Sequence, residues 1–141
     1  MIGQPLHGTA AACRWNGVWR GVWITGPSGA GKSDLALRLM ARGWRLVADD
    51  YAHVFASGGA VWATAPERIA GKIEARGVGV RPACLQGLAR LDLVVELVDG
   101  AVERLPDPET VVLAGVATPV LRLDAREASA AEKVALALVT L

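Results

Sequence analysis

The segment Gly26-Pro27-Ser28-Gly29-Ala30-Gly31-Lys32-Ser33 constrains this chain more than any other feature, because it fits the pattern G-x-x-x-x-G-K-[ST]. Each fixed position has a physical task. Glycines let successive backbone N–H groups converge on phosphate oxygens, the lysine reaches the β and γ phosphates of a nucleotide, and the serine hydroxyl ligates magnesium. Such a loop requires a strand before it and a helix after it. Val18 to Thr25 (VWRGVWIT) is rich in β-branched and aromatic residues and predicts the strand. From Lys32 to Arg42, Leu35, Ala36, Leu39 and Met40 recur at helical spacing, and Gly43 suits the left-handed cap, so the spacing predicts a helix of about three turns. This flanking context argues against a chance glycine-rich turn, and it makes residues 26–33 the candidate site for ATP with Mg2+.

Downstream, Trp44 to Ala48 reads as a short buried strand that delivers Asp49 and Asp50 at its carboxyl end. The connection from the first strand has the length a right-handed βαβ crossover needs, which places both carboxylates near the loop. Two close carboxylates repel unless a cation or a proton intervenes, so the pair suits a magnesium-binding group beside a general base. Without the loop upstream, a solvated strand-end turn would be the better reading.

The remaining chain predicts few further helices. Tyr51 to Ala56 and Ala60 to Ala63 flank Ser57-Gly58-Gly59, a hairpin pattern. Asp92 to Val98 and Thr110 to Leu123 read as strand regions, the second broken at Gly115 and Pro119. Ser129 with Glu132 forms an S-x-x-E capping box that opens a C-terminal helix. The segment from Gly71 to Val80 (GKIEARGVGV) combines Glu74, Arg76 and several glycines, which fits close backbone approach to a charged ligand and fits a solvated loop or hairpin equally well. His7 and Arg104 are isolated, and the residues alone assign them to the surface.

Composition sets the outer limits. A chain of 141 residues, 52% apolar and 21% charged with 16 glycines, fits one compact α/β domain spanning residues 1–141. Fifteen basic residues balance fourteen acidic ones, so nothing global points to nucleic acid or an anionic membrane. Cys13 and Cys84 lack metal-ligand spacing and are expected as reduced thiols in the cytoplasm. No apolar run is long enough to span a bilayer, and the start Met1-Ile2-Gly3-Gln4-Pro5 does not read as a leader. The five tryptophans lie in apolar segments and read as packing residues rather than base-stacking platforms.

Taken jointly, GPSGAGKSDLALRLMARGWRLVADD and the later IEARGVGV resemble the catalytic domain of HPr kinase/phosphorylase. The family pattern is a G-x-S-G-x-G-K-S loop, a helix ending in R-G, a strand ending in A-D-D and a signature close to E-I-R-G-x-G, here with alanine in place of isoleucine. The likeness is strongest over residues 26–80 and extends more weakly from His7-Gly8 to about Leu123. It implies a P-loop kinase domain of the HPr kinase/PEP carboxykinase-like type, with a mixed β-sheet and few helices. It further implies that Lys32 contacts phosphate, that Ser33 and Glu74 hold magnesium, and that Asp50, with Asp49 beside it, deprotonates the acceptor serine. By the same resemblance Arg76 lies in the segment used for both reaction directions, His7 matches a histidine upstream of the loop, and Arg104 matches an arginine of a D-R-L-G motif.

The implied activity is ATP- and Mg2+-dependent phosphorylation of a serine on the phosphocarrier HPr or a relative. Typical members also carry an N-terminal domain, an extended C-terminal helical region that supports a hexamer, and a V-P-V-K-x-G-R-N-like segment linked to phosphorolysis. This sequence opens close to the catalytic motifs and closes on a single helix. It reads Arg122-Leu123-Asp124-Ala125-Arg126-Glu127 at the last motif, where Arg126 alone matches. Phosphorolysis of seryl-phosphorylated HPr and assembly into a homo-oligomer are therefore left open. Two other readings stand beside the protein kinase. A small-metabolite P-loop kinase would need an arginine-rich lid, for which the sequence offers no insertion, and a non-catalytic ATP-binding sensor would not need the Asp49-Asp50 pair.

Overall fold

A computed structural model describes residues 4–141; Met1-Ile2-Gly3, and with them the reading of the extreme N-terminus, lie outside the described residues. In chain order the strands are β1 (Leu6–His7), β2 (Thr9–Trp15), β3 (Val18–Thr25), β4 (Arg45–Ala48), β5 (Tyr51–Ser57), β6 (Ala60–Thr64), β7 (Lys72–Ala75), β8 (Gly79–Pro82), β9 (Ala89–Leu97), β10 (Thr110–Leu113) and β11 (Val116–Leu123). Two helices, α1 (Lys32–Met40) and α2 (Ala130–Val139), complete the described architecture with a short 3-10 turn at Glu67–Ile69. This is the mixed α/β fold that the sequence predicts.

The main sheet runs β1-β5-β6-β9-β3-β2-β4, and β11 joins β9 beyond the end of β6 and carries β10 on its far side. Strands β3, β9 and β11 are parallel to one another. Strand β2 is antiparallel to both β3 and β4, so β4 points the same way as the other three. Four carboxyl ends therefore open on one edge of the sheet, where ligands of open α/β folds collect. They deliver Gly26, Asp49-Asp50, Val98-Asp99 and Asp124 to that edge.

Local chemistry explains the joints. Asn16-Gly17, both at positive φ (50° and 77°), forms the two-residue turn whose twist matches a hairpin, and it pairs Thr9 with Ile24 through Trp15 with Val18. Helix α1 closes as expected from the sequence: Gly43 at φ 90° donates its N–H to Met40 O at 3.1 Å, and Trp44 N–H reaches Leu39 O at 3.3 Å. Helix α2 does begin after Ser129, yet no side-chain capping bond forms there, because the Glu132 carboxylate is drawn instead to Arg42 at 2.8 Å. The break foreseen in the 110–123 region falls at Ala114-Gly115 alone. Pro119 stays within β11, at the point where the strand stops pairing with β10 and starts pairing with β9, so its missing N–H costs the sheet little.

Two apolar layers hold the sheet. On one face Leu35, Ala36 and Leu39 of α1 and Val134 and Leu138 of α2 pack on Val22, Ile24, Val95 and Leu123, all almost fully buried. Each such leucine contributes about 1.5–3 kcal/mol. On the other face Trp23, Val47, Val61, Leu91 and Val94 fill the inside of a curl, since β5 approaches β2 and β6 approaches β4. Trp23 and Trp44 are core residues, Trp19 lies under the Arg45 guanidinium at 4.7 Å, and Trp15 is 45% exposed at the hairpin tip.

Gly8, between β1 and β2, lies against the buried Trp23 ring: a Cβ there would fall 2.3 Å from one indole carbon. Its N–H is bonded to Asp50 O at 2.9 Å, so it cannot retreat without disturbing the site edge. Gly8→Ala is expected to lower unfolding stability by about 1–3 kcal/mol through overpacking. A denaturant midpoint that stays at the wild-type value with an unchanged m would refute this close approach.

Candidate functional site

The phosphate-loop sequence forms the link between β3 and α1, and each local choice serves that turn. Gly31, at φ 99°, occupies the N-cap position of α1 in the left-handed region, and a Cβ on it would approach Ala125 to 3.2 Å. With no side chain capping it, the first turn of α1 offers its N–H groups and its positive dipole end to an anion. Lys32 is buried, and its ammonium donates to Gly26 O at 2.8 Å and Pro27 O at 3.0 Å. An ammonium has three donors, so this grip fixes the cation over the loop and leaves one donor for a ligand oxygen.

Asp49 is the hub of the site. Although 94% hidden from solvent, its carboxylate is satisfied on both oxygens: Ser33 Oγ donates at 2.6 Å and Thr9 Oγ1 at 3.2 Å to Oδ1, while the Glu74 backbone N–H donates at 3.0 Å to Oδ2. Three separate elements, α1, β2 and β7, are thereby tied to the end of β4. Asp50 differs in every respect. It sits at φ 71°, its side chain is 64% exposed, and its Oδ1 lies 3.1 Å from His7 Nε2. The His7 ring also packs against Tyr51, with centroids 5.3 Å apart.

His7, Thr9, Lys32, Ser33, Asp50 and Glu74 line one open cavity of 770 Å3, with the buried Asp49 behind its wall. His7, Thr9 and Asp50 lie at one end with Glu74, Arg76 and Val78 of the β7–β8 hairpin; residues Pro27 to Asp34 form the floor; Leu97 to Asp99 and Asp124 to Arg126 form the other end. Residues 71–80, which the sequence left open between a segment approaching a charged ligand and a solvated loop or hairpin, form the β7–β8 hairpin, which pairs Ala75 with Gly79 and sets Arg76 at its tip. Arg104 is not brought to this cavity. It falls in the exposed, proline-containing connection between β9 and β10, where no strand pairing draws it inward.

Two features of the cavity go beyond the sequence reading: Thr9, and the setting of Arg126, which the sequence matched only as a motif remnant. Thr9 was missed because β2 was missed, although Asn16-Gly17 is a strong hairpin signal that implies a strand on its N-terminal side. The second is a clasp at the far end of the cavity. Buried Asp124 accepts the N–H groups of Gly100 at 3.0 Å and Arg126 at 2.9 Å, and its oxygens also take Arg126 Nε and Nη2. The Arg126 side chain is chiefly what holds the Asp124 carboxyl well below the usual carboxylate range, with those backbone donors assisting. Arg126 Nη2 reaches Asp99 as well, and Arg38 of α1 donates to the carbonyls of Ala125 and Glu127, strapping this turn to the helix that begins at the loop.

The donor set fits a hard cation: the Ser33 hydroxyl and the buried Asp49 carboxylate are adjacent oxygens, and Glu74 lines the same end of the cavity. Among the described residues no three His, Cys, Asp or Glu side chains converge into a metal site by themselves. A magnesium ion here would thus share its coordination with ligand phosphate oxygens and water, as is usual for this ion. No described helix is long and apolar enough to cross a membrane.

Comparison with known proteins gives three concordant results. Residues 16–107 match the family described as HPr Serine kinase C-terminal domain. An HPr kinase/phosphorylase of Clostridium kluyveri is 50% identical over 60 residues, covering 43% of this chain and 20% of that protein. One from Leptothrix cholodnii is 39% identical over 99 residues, covering 61% and 30%. The match thus spans less than a third of either relative. A solved structure described as the Hpr(Ser) kinase/phosphatase from Coxiella burnetii superposes with a TM-score of 0.79 over 98% of this chain and 95% of that one; at 22% identity it shows a shared fold.

Proposed function

Because this chain belongs to the HPr serine kinase C-terminal domain family, we propose that it is an ATP- and Mg2+-dependent protein kinase that phosphorylates a serine of HPr or a related phosphocarrier. The observation that carries this reading is the division of labour between two neighbouring aspartates. Asp49 is buried on the Ser33 hydroxyl, whereas Asp50 is exposed to the cavity and steadied by His7. A nucleotide sensor needs the first arrangement. A phosphotransferase needs the second as well.

In this proposal the loop N–H groups, the α1 N-terminus and Lys32 bind the phosphates of ATP, and Ser33, Asp49 and Glu74 hold magnesium, which supplies charge neutralisation on the transferring group. Asp50 accepts the proton of the serine hydroxyl as that oxygen bonds to the γ phosphorus. The bond from the γ phosphorus to the bridging oxygen breaks, and ADP leaves with the electron pair. His7 keeps the Asp50 carboxylate at the mouth of the cavity, where a protein-borne serine can reach it. Arg76, at the hairpin tip, is placed to meet the incoming chain or its phosphoryl group. For phosphorolysis, an oxygen of inorganic phosphate would bond to the seryl phosphorus to form pyrophosphate as the serine oxygen departs, and the same carboxyl would return the proton to that oxygen.

Incubating the protein with Mg-ATP and purified HPr is expected to yield phosphoserine on HPr, and Lys32→Ala is expected to lower the rate at least 100-fold, on the order of a lost charge-stabilising contact. Wild-type protein that labels HPr no faster than Lys32→Ala would remove the proposal.

A further inference from the structure

The cavity is longer than phosphoryl transfer requires. The reacting end of any bound nucleotide is fixed by Ser33, Asp49 and Asp50, which lie on the β4 side of the loop. The rest of the molecule must leave along the loop in the other direction. There it meets the ends of β9 and β11, where Leu97, Asp99, Ala125 and Arg126 form the wall.

Arg126 is unusual among the arginines of this chain. Its Nε and Nη2 are both held by the Asp124 carboxylate, with Nε···Oδ1 at 3.0 Å and Nη2···Oδ2 at 2.6 Å, while its side chain stays 73% exposed. Asp124 is itself fixed by the Gly100 and Arg126 N–H groups. A guanidinium pinned along one edge loses little further entropy on binding, and these bonds leave its flat faces and Nη1 uncommitted. Such a plane suits stacking on an aromatic base, and a planar cation over a π system is attractive. The exposed Asp99 carboxylate next to it can accept hydrogen bonds from hydroxyls. Phosphate does not fit this corner as well, because Asp124 and Asp99 place two negative charges around one guanidinium.

We infer that the Asp99–Asp124–Arg126 corner is the nucleoside-recognition end of the site: Arg126 carries the base on its guanidinium face and Asp99 receives the ribose hydroxyls. The inference rests on the nucleotide-binding part of the proposed function and is independent of the acceptor protein. It makes Arg126 a determinant of nucleotide specificity, with Asp124 as its positioning residue.

The test compares two ligands that share the phosphates and differ in the nucleoside, Mg-ATP and Mg-tripolyphosphate, each titrated calorimetrically into the full chain without any phosphocarrier. Arg126→Ala is expected to weaken ATP about tenfold and to leave tripolyphosphate within about twofold, with Arg126→Lys between wild type and Arg126→Ala because an ammonium keeps a cation–π attraction but loses the planar stack. Asp124→Asn, which loosens the guanidinium, should follow the same pattern at smaller amplitude. Equal weakening of both ligands would make Arg126 a phosphate contact and overturn the inference, as would unchanged affinity for both or a wild-type protein that binds the two alike. Failure to phosphorylate HPr, with ATP still preferred over tripolyphosphate through Arg126, would instead overturn the kinase reading alone.

Discussion

Asp50→Asn is expected to slow phosphotransfer by about 10²- to 10⁴-fold, the range that a positioned general base contributes, while KM for ATP stays within about twofold. The substitution isolates basicity well. Asparagine has nearly the same shape, and at φ 71° it is among the non-glycine residues that best tolerate the left-handed region, so the backbone at the end of β4 has no reason to shift. Asp50 is bonded to neither Ser33 nor Lys32 in this structure, and among the described residues its side chain is bonded to the partly exposed His7, so nucleotide binding should not depend on its charge. His7→Ala should reduce the rate by a smaller factor, about tenfold, because the carboxylate remains and only its position is loosened. Single-turnover measurements at saturating ATP read this directly. If Asp50→Asn transfers phosphate to HPr at the wild-type rate, the proton must go elsewhere and Asp50 is not the base.

Some of this site is readable in the sequence because its parts are covalently close or follow from one crossover. The loop, α1, β4 and the Asp49-Asp50 pair belong to a single strand–helix–strand passage, and hydrophobic periodicity with Gly43 as punctuation sets its length. The sequence does not reveal how the two aspartates divide, since that depends on Thr9 and Glu74, which arrive from 40 residues before and 25 residues after Asp49. Thr9 reaches it only because β2 inserts between β3 and β4. Nothing in the local composition of AAACRW announces a strand as strongly as the Asn16-Gly17 turn that follows it. Arg104 shows the opposite case. A motif fragment suggests a site residue, but Arg104 lies in the exposed middle of the connection between β9 and β10, beside Pro106 and Pro108, and is not among the residues that line the cavity. The capping box at Ser129 failed for a related reason: a local pattern lost its glutamate to a tertiary partner, Arg42.

Asp49 is where stability and chemistry coincide, and its replacement should therefore show two effects together. Its two oxygens accept from two hydroxyls and one backbone N–H. An amide at this position keeps one acceptor oxygen and presents an NH2 group to the rest. With the amide oxygen turned to the Glu74 N–H, the two hydroxyls can rotate to accept from the NH2, but both hydroxyl protons then lose the carboxylate that accepted them; turned the other way, the NH2 faces the Glu74 N–H. Asp49→Asn is thus expected to cost about 1–3 kcal/mol of unfolding stability in the absence of ligand, and to release the β7 end of the hairpin that carries Glu74 and Arg76. The same change removes the negative charge that makes Ser33 and Asp49 a suitable seat for magnesium. ATP titrations with and without Mg2+ separate the two consequences. In wild type the ion should strengthen binding, whereas in Asp49→Asn most of that increment should vanish and ATP binding without the ion should change little. A variant that is destabilised yet keeps the full magnesium increment would confine Asp49 to holding β2, β7 and α1 together, and the metal would then have to be assigned to Ser33 and Glu74 without it.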